Sequence, residues 1–417
     1  MDVCVSPSSL QGNISAIPSK SDAHRLLICS ALSTRPTRLY LPTSSEDIDA
    51  TCRCLSALGA EILRTGNYIT VTPIQEIPSS PVLDCGESGS TLRFMLPVAA
   101  AICPSATFTG KGRLPNRPLG ELTNVLKDHG ICFSAPSLPF TISGQLKSGI
   151  YQISGNVSSQ YITGLLLALS ALKGSSEIQL LTELESAAYI DITLHALARF
   201  GIKISKTENG WSIPENKEFA PPADLAVEGD WSNAAFFLAA GALGHGVTLS
   251  GLDLNSPQGD KAILSVLKDF GAEVKFDGDK ITVKAQALHG CTVDMRPIPD
   301  LLPILSVVAA CSEGKTYFVN AARLRLKESD RLETTASMLK NLGISVIEKE
   351  DALIVEGGKL KGGIVNGAND HRIVMSAAIA ATLAQDLVTI TDSQAVNKSY
   401  PSFFNTLKEL GGIAHGI

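Results

Sequence analysis

The sequence predicts an α/β protein of two domains, each made of three copies of one βαβαββ unit. Two observations carry this. A Leu-x-x-x-Gly motif recurs six times, ending at Gly59, Gly130, Gly201, Gly271, Gly343 and Gly411. Its spacing of about 70 residues marks a supersecondary unit used repeatedly. The surrounding text hardly varies: LSALGAEI, LKDHGICF, LARFGIKI, LKDFGAEV, LKNLGISV and LKELGGIA. The second observation is a pattern of alternating apolar residues, broken by turn residues, after the glycines.

Each glycine is predicted to close a helix, because glycine at a helix C′ position takes the left-handed conformation that other residues resist. The segments that follow read as hairpins. AEILRTGNYITVTP turns at Thr65-Gly66-Asn67, IKISKTENGWSIP at Glu208-Asn209-Gly210, and AEVKFDGDKITVKA at Asp277-Gly278-Asp279. Between glycines lie helices such as WSNAAFFLAAGAL, apolar enough to be buried. The sixth unit is cut short, since the chain stops six residues after Gly411. The N-terminal segment, Asp2 to about Leu10, is expected to complete it.

The expected domains are therefore residues 1–18 with 229–417, and residues 19–228. Crossovers fall near Pro18 and Glu228, where Ile17-Pro18-Ser19 and Glu228-Gly229-Asp230 carry breaker chemistry. Two connections running side by side would make a hinge.

Composition excludes several classes. Of 417 residues, 44% are hydrophobic and 18% charged, which suits a large globular core. The apolar run from Leu165 to Leu172 is too short to span a bilayer. MDVCVSPSSL has no basic n-region or apolar h-region, so a cytoplasmic protein without a secretory signal is expected. Nine scattered cysteines read as reduced thiols, and seven histidines show no ligand spacing, so no metal is expected. A net charge of −6 argues against bulk nucleic-acid binding, though not against a local cationic cleft.

Clustered charge interrupts the apolar pattern in several segments. IPSKSDAHR puts Lys20, Ser21 and Arg25 at a helix start, either a capped surface helix or an anion site. GESGSTLRFM places Gly89 and small serines before Arg93, and KGRLPNRPLGEL carries Arg113 and Arg117 in a proline-flanked loop. SSQYITGLL opens an apolar helix with Ser158 as a candidate N-cap, then Ser159 and Gln160. RLRLKESDRLETT packs Arg323, Arg325, Lys327, Glu328, Asp330 and Arg331 together. Lys327 and Arg331 are spaced as neighbours on one helix face, where like charges repel unless an anion intervenes. Asp300, in MRPIPDLLPILS, reads as a helix cap or an active carboxylate. NDHRIVMSAAIAA and VNKSYPSFFNTL add Asp370, His371, Arg372 and Lys398.

In this order, PSKSDAHR, GESGSTLR, NRPLG, SSQ, IPDLLP, LKESDRL, NDHR and NKSYP resemble the 5-enolpyruvylshikimate-3-phosphate synthase family, from about Pro18 to Pro401. The resemblance implies buried helices beneath outer sheets, an inside-out α/β barrel in each domain, and hinge closure on anionic substrates. It also implies transfer of the enolpyruvyl group of phosphoenolpyruvate to the 5-hydroxyl of shikimate 3-phosphate with release of phosphate, by a monomer needing no cofactor. Matched position by position, it assigns shikimate 3-phosphate to Lys20, Ser21, Arg25, Ser158, Ser159, Gln160, Ser186, Asp300, Arg323 and Lys327. Phosphoenolpyruvate falls to Lys20, Gly89, Arg117, Gln160, Arg331, Arg372 and Lys398. Tyr189 stands near the active site. Asp300 is the expected base, with Glu328 or Lys20 as the proton donor to C3. Planar guanidinium groups suit the two phosphates and two carboxylates that such a pair of substrates presents.

Glu87, Ser88, Ser90, Phe94 and Arg323 depart from the family pattern. Because Gly89 is retained, phosphonates that mimic phosphoenolpyruvate, such as glyphosate, are expected to bind. Two rivals remain at this point. One is the related transferase acting on UDP-N-acetylglucosamine, whose loop cysteine is absent between Gly110 and Leu119. The other is a sliding-clamp-like ring, which would leave Asp300 and Glu328 among arginines unexplained.

Overall fold

All six repeat glycines close their helices in one way. Their φ angles are 102°, 89°, 81°, 103°, 83° and 98° in chain order. The amide after each glycine donates to the carbonyl of the motif leucine five residues back: Ala60 to Leu55, Ile131 to Leu126, Ile202 to Leu197, Ala272 to Leu267, Ile344 to Leu339 and Gly412 to Leu407, at 2.8–3.0 Å. This is the Schellman closure, which satisfies carbonyls that a helix end otherwise leaves unpaired. All six leucines are fully buried. The motif is thus a stop signal and a core anchor in one.

The computed structural model describes residues 1–215, 218–222 and 224–416. They divide into two units: Lys20–Val227, and Met1–Ser19 with Glu228–Ile417. Helices of the first are α1 (Lys20–Ala31), α2 (Glu46–Ala57), α3 (Gly89–Ile102), α4 (Gly120–Asp128), α5 (Ser159–Ala171) and α6 (Ala187–Arg199). Those of the second are α7 (Trp231–Leu243), α8 (Ile263–Asp269), α9 (Leu302–Ala310), α10 (Arg331–Asn341), α11 (His371–Thr382) and α12 (Phe403–Glu409). Odd-numbered helices are buried almost throughout, α3, α5, α7 and α9 being largely apolar all round and α1 and α11 opening on charged residues, while even-numbered ones are amphipathic and bury one face.

Each unit carries three four-stranded sheets of one pattern. Val82–Asp84 runs parallel to Ser105–Thr109, which pairs antiparallel with Phe140–Ser143, and that with Cys132–Phe133. The other sheets repeat this with substitutions at the ends of the chain path. Asp224–Ala226 supplies the parallel edge strand beside Thr37–Tyr40, and Gln11–Ser15 does so beside Gly246–Ser250. Val3–Ser6 lies between Val388–Ile390 and Ile413–Gly416, in the place left by the truncated sixth unit.

The two chain crossings form an antiparallel bridge at Pro18 and Gly229. Buried Gln258 ties them: Oε1 accepts from Ser19 Oγ and the Trp231 amide, and Nε2 donates to the Gly229 carbonyl at 2.8 Å. Each of the three hairpin turns is one residue shorter than the sequence reading, since Thr65 and Asp277 end their strands. Gly210 is a strand residue, not part of the turn. A methyl there would strike the Ile178 carbonyl, so close backbone approach is what requires glycine.

Candidate active site

Chemistry-bearing residues collect where the buried helices begin. In Lys20–Val227, Lys20 opens α1 and its Nζ lies 2.9 Å from Asp47 Oδ2 on α2. Ser88 caps α3, accepting from the Thr91 amide. Gly89 follows with no room for a side chain, since a methyl would overlap the Arg117 guanidinium and crowd that of Arg93. Gln160, on α5, bridges these parts. Its Oε1 accepts from Arg93 Nη1 at 2.7 Å and its Nε2 donates to Ser90 Oγ at 2.9 Å. Helix register sets this contact. Pro97 has no amide for the Arg93 carbonyl, and Gly164 packs directly on that carbonyl.

Ser158 holds the N-cap position of α5, but its hydroxyl makes no capping bond, so the expected structural duty is not the one it performs. Ser186 precedes α6 at φ 54°, also without a capping bond. A non-glycine residue held there is strained, and such strain collects at functional sites. Ser21 is half-buried, and Ser159 is buried. Arg25 turns inward: it is 2% exposed and donates to Thr193, Thr163 and the carbonyls of Ser21 and Tyr189. Burial lowers its pKa to about 10, against the opposing pull of Asp22. The Glu87 carboxyl packs against Gly112, tying the glycine loop to the Arg117 loop.

The other unit gathers Asp300, Lys327, Glu328, Arg331, Asp370 and Arg372. Lys327 and Arg331 do not share a helix: Lys327 ends the 3₁₀ turn Ala322–Leu326, and Arg331 begins α10 behind the Asp330 cap. They meet instead on one carboxylate oxygen, Asp300 Oδ1, at 3.2 and 2.8 Å. Asp300 is not an N-cap either, for it lies within the turn Pro299–Leu301 before α9. The guanidinium of Arg331 also reaches Glu328 Oε2 at 2.6 Å and Asp370 Oδ2 at 2.8 Å. Arg372, at the start of α11, donates to the Asp300 carbonyl at 3.2 Å and to Ser232 Oγ at 2.6 Å. Lys398 Nζ donates to the Asn369 carbonyl, in a loop where Ala368 and Asn369 both have positive φ. Arg323 is half-buried and close enough to Lys327 to depress its pKa.

Burial alone would raise the Asp300 carboxyl, yet Lys327, Arg372 and Arg331 outweigh it and hold the group well below the usual carboxylate range. Lys327 moves down, chiefly through burial, with Asp300 opposing. Asp260, absent from the sequence-based set, sits buried by Ser232 and Arg372. Burial and the neighbouring Asp300 charge push it up to about 6. Asp47 reads as one of several carboxylates at an acidic helix start, beside Glu46 and Asp49, and Asp260 as a single carboxylate in a short turn, so neither is marked out locally. Arg93 alone had a signal, a charge in an otherwise apolar helix. Among the described residues no group of His, Cys, Asp and Glu is arranged to hold a metal, and no helix is long and apolar enough to cross a membrane.

The architecture is that of the enolpyruvyl transferases. It matches an EPSP synthase from Acinetobacter baumannii over 100% of both chains, with a TM-score of 0.83 and 26% identity. It also shares its fold with the enolpyruvyl transferase NikO from Streptomyces tendae, over 99% of this chain and 98% of that one, at a TM-score of 0.81 and 16% identity. Residues 5–407 match the family described as EPSP synthase (3-phosphoshikimate 1-carboxyvinyltransferase). Proteins named 3-phosphoshikimate 1-carboxyvinyltransferase are 42% identical in Clostridium kluyveri, over 98% of this chain and 97% of that protein, and 44% identical in Clostridium acetobutylicum, over 99% and 98%. The chain belongs to the EPSP synthase family. Neither rival reading from the sequence is needed.

Proposed function

We propose that the chain transfers the enolpyruvyl group of phosphoenolpyruvate to the 5-hydroxyl of shikimate 3-phosphate, releasing phosphate, with the residues described above as its machinery. The single observation that carries this assignment of roles is Asp300 surrounded by Lys327, Arg331 and Arg372. Three cations leave a carboxylate anionic but weakly basic. Anionic substrate draws on the same cations, so their hold on Asp300 relaxes as the substrates bind. Its basicity rises when a hydroxyl proton must be taken, which is where a general base is useful.

In the reaction, the 5-hydroxyl oxygen adds to C2 of phosphoenolpyruvate while C3 gains a proton. Asp300 accepts the hydroxyl proton, and Glu328 or Lys20 supplies the one at C3. The tetrahedral intermediate then loses phosphate and the added proton leaves C3, restoring the double bond. Lys20, Arg117 and Lys398 offset charge on the departing phosphate. Ser158, Ser159 and Ser186 hold hydroxyls not used as caps, suited to the shikimate 3-phosphate oxygens. The protein works on these two small molecules as a cytoplasmic monomer.

The test is phosphate release from phosphoenolpyruvate with and without shikimate 3-phosphate. Release that requires both, and is lost in Asp300→Asn, supports the reading. Absence of release in the wild-type protein, or full activity of Asp300→Asn, overturns it.

A further inference from the structure

A line of buried hydroxyls connects α1 to the cap of α3. His24 Nδ1 lies 2.8 Å from Thr51 Oγ1, Thr51 Oγ1 lies 2.8 Å from Thr91 Oγ1, and Thr91 Oγ1 lies 2.8 Å from Ser88 Oγ. All four residues are at most 1% exposed. Thr91 Oγ1 also reaches the Asp47 carbonyl at 3.3 Å, and Asp47 is the residue whose carboxylate holds Lys20. Among the described residues His24 Nε2 has no hydrogen-bond partner. The cheaper tautomer leaves a bare lone pair there rather than an unpaired N–H, so Nδ1–H donates to Thr51. Each hydroxyl then donates onward, Thr51 to Thr91 and Thr91 to Ser88. The chain has one direction, ending at the residue before Gly89.

We infer that Thr51 and Thr91 are positioning residues for phosphoenolpyruvate, fixing the glycine loop relative to Lys20 through the chain His24–Thr51–Thr91–Ser88. The inference rests on the reading of Lys20, Gly89 and Arg117 as that substrate's site. Lys20 is one turn from His24 on α1, Asp47 one turn from Thr51 on α2, and Gly89 adjoins Ser88. The starts of α1 and α3, which carry residues read as gripping one small anion, are therefore tied through α2 by three short hydrogen bonds. A hydroxyl is needed at 51 and 91 because a methyl cannot pass the bond along, and a buried donor left unpaired shifts to find a partner.

Thr51→Val and Thr91→Val keep shape and remove the hydroxyl. Steady-state kinetics of each is expected to show KM for phosphoenolpyruvate raised roughly five- to tenfold, with kcat within about threefold and KM for shikimate 3-phosphate within about twofold. Thr51→Ser and Thr91→Ser should restore KM, because they return the hydroxyl without the methyl. Folded valine variants, with melting temperature within a few degrees of wild type, that leave this KM unchanged would overturn the inference. So would equal losses for both substrates, the mark of general loosening. If the valine variants unfold, the serine variants decide: a raised KM in them counts against it. Lys20→Met separates the two levels. If it keeps a wild-type KM for phosphoenolpyruvate, the underlying site assignment fails; if it loses binding while Thr51→Val does not, only the positioning role fails.

Discussion

Nη1 of Arg331 lies 2.8 Å from Oδ1 of Asp300, and the same oxygen takes the ammonium of Lys327 at 3.2 Å. The arrangement makes Asp300 a carboxylate whose charge is guaranteed and whose basicity is controlled by its neighbours. Lys327→Met removes one of those neighbours. The Asp300 pKa should rise toward its ordinary value, moving the acid limb of the kcat/KM profile of the free enzyme to higher pH. Turnover should fall by about 10²-fold or more if Lys327 also binds substrate. An acid limb that stays in place would show that another group sets it.

Stability should follow the same charges. Asp300 and Asp370 have depressed pKa values in the folded protein, Asp370 because Arg331 overcomes the effect of burial. Their contribution is complete above the unfolded carboxylate value of about 3.9 and is lost as pH falls through the folded values. Asp260 has the opposite sign, being raised to about 6. Its contribution is present below about pH 4 and lost as pH rises through about 6. Asp260→Asn should therefore raise the melting temperature relative to wild type more at pH 7.5 than at pH 4. Thermal melts at the two pH values check this, and an equal effect at both would contradict it.

Gly89→Ala puts a methyl into the space of the Arg117 guanidinium. Arg117 and Arg93 must withdraw, so KM for phosphoenolpyruvate should rise about tenfold or more, with shikimate 3-phosphate affected much less. Glyphosate inhibition should weaken in parallel. Kinetics with each substrate varied in turn provides the measurement.

Gly164→Ala tests the helix register behind Gln160. The methyl would press on the Arg93 carbonyl and on Pro97, forcing α5 from α3. Overpacking of this kind costs about 1–3 kcal/mol, readable by urea denaturation. The Gln160–Arg93 contact should loosen with it and phosphoenolpyruvate KM rise.

Two repeat glycines separate conformation from contact. At Gly130 a methyl meets nothing within 4 Å, so Gly130→Ala should cost only the left-handed strain, about 1–2 kcal/mol. At Gly59 a methyl also collides with the Glu76 carbonyl, so Gly59→Ala should cost clearly more. Equal losses in denaturant unfolding would refute this account of the repeat.

Much of this architecture is written locally. A leucine whose carbonyl receives the amide after a glycine is a short-range arrangement, so all six stops could be read from five-residue words. Hairpins at Gly66-Asn67 and Gly278-Asp279 are equally local, because two residues determine the turn. The family resemblance likewise rested on contiguous motifs, which identify Lys20, Gln160, Lys327 and Arg372 as candidates. Local reading failed where one residue answers to another far away in the chain. Asp300 could be read as a cap as readily as an active carboxylate, and Lys327 and Arg331 as helix neighbours, because their true partners lie on different elements.

The sequence by itself determined the repeat, the helix ends, the hairpins and the family. Only the tertiary structure decided that Asp300 is shared by three cations, that Arg25 points into the core, that Asp47 pairs with Lys20 and Arg93 with Gln160, and that Asp260 lies buried beside Arg372. The physical reason is range. Backbone conformation depends on a few neighbouring residues, whereas the charge state and orientation of a buried side chain depend on whatever the packing of distant helices brings within a few ångströms.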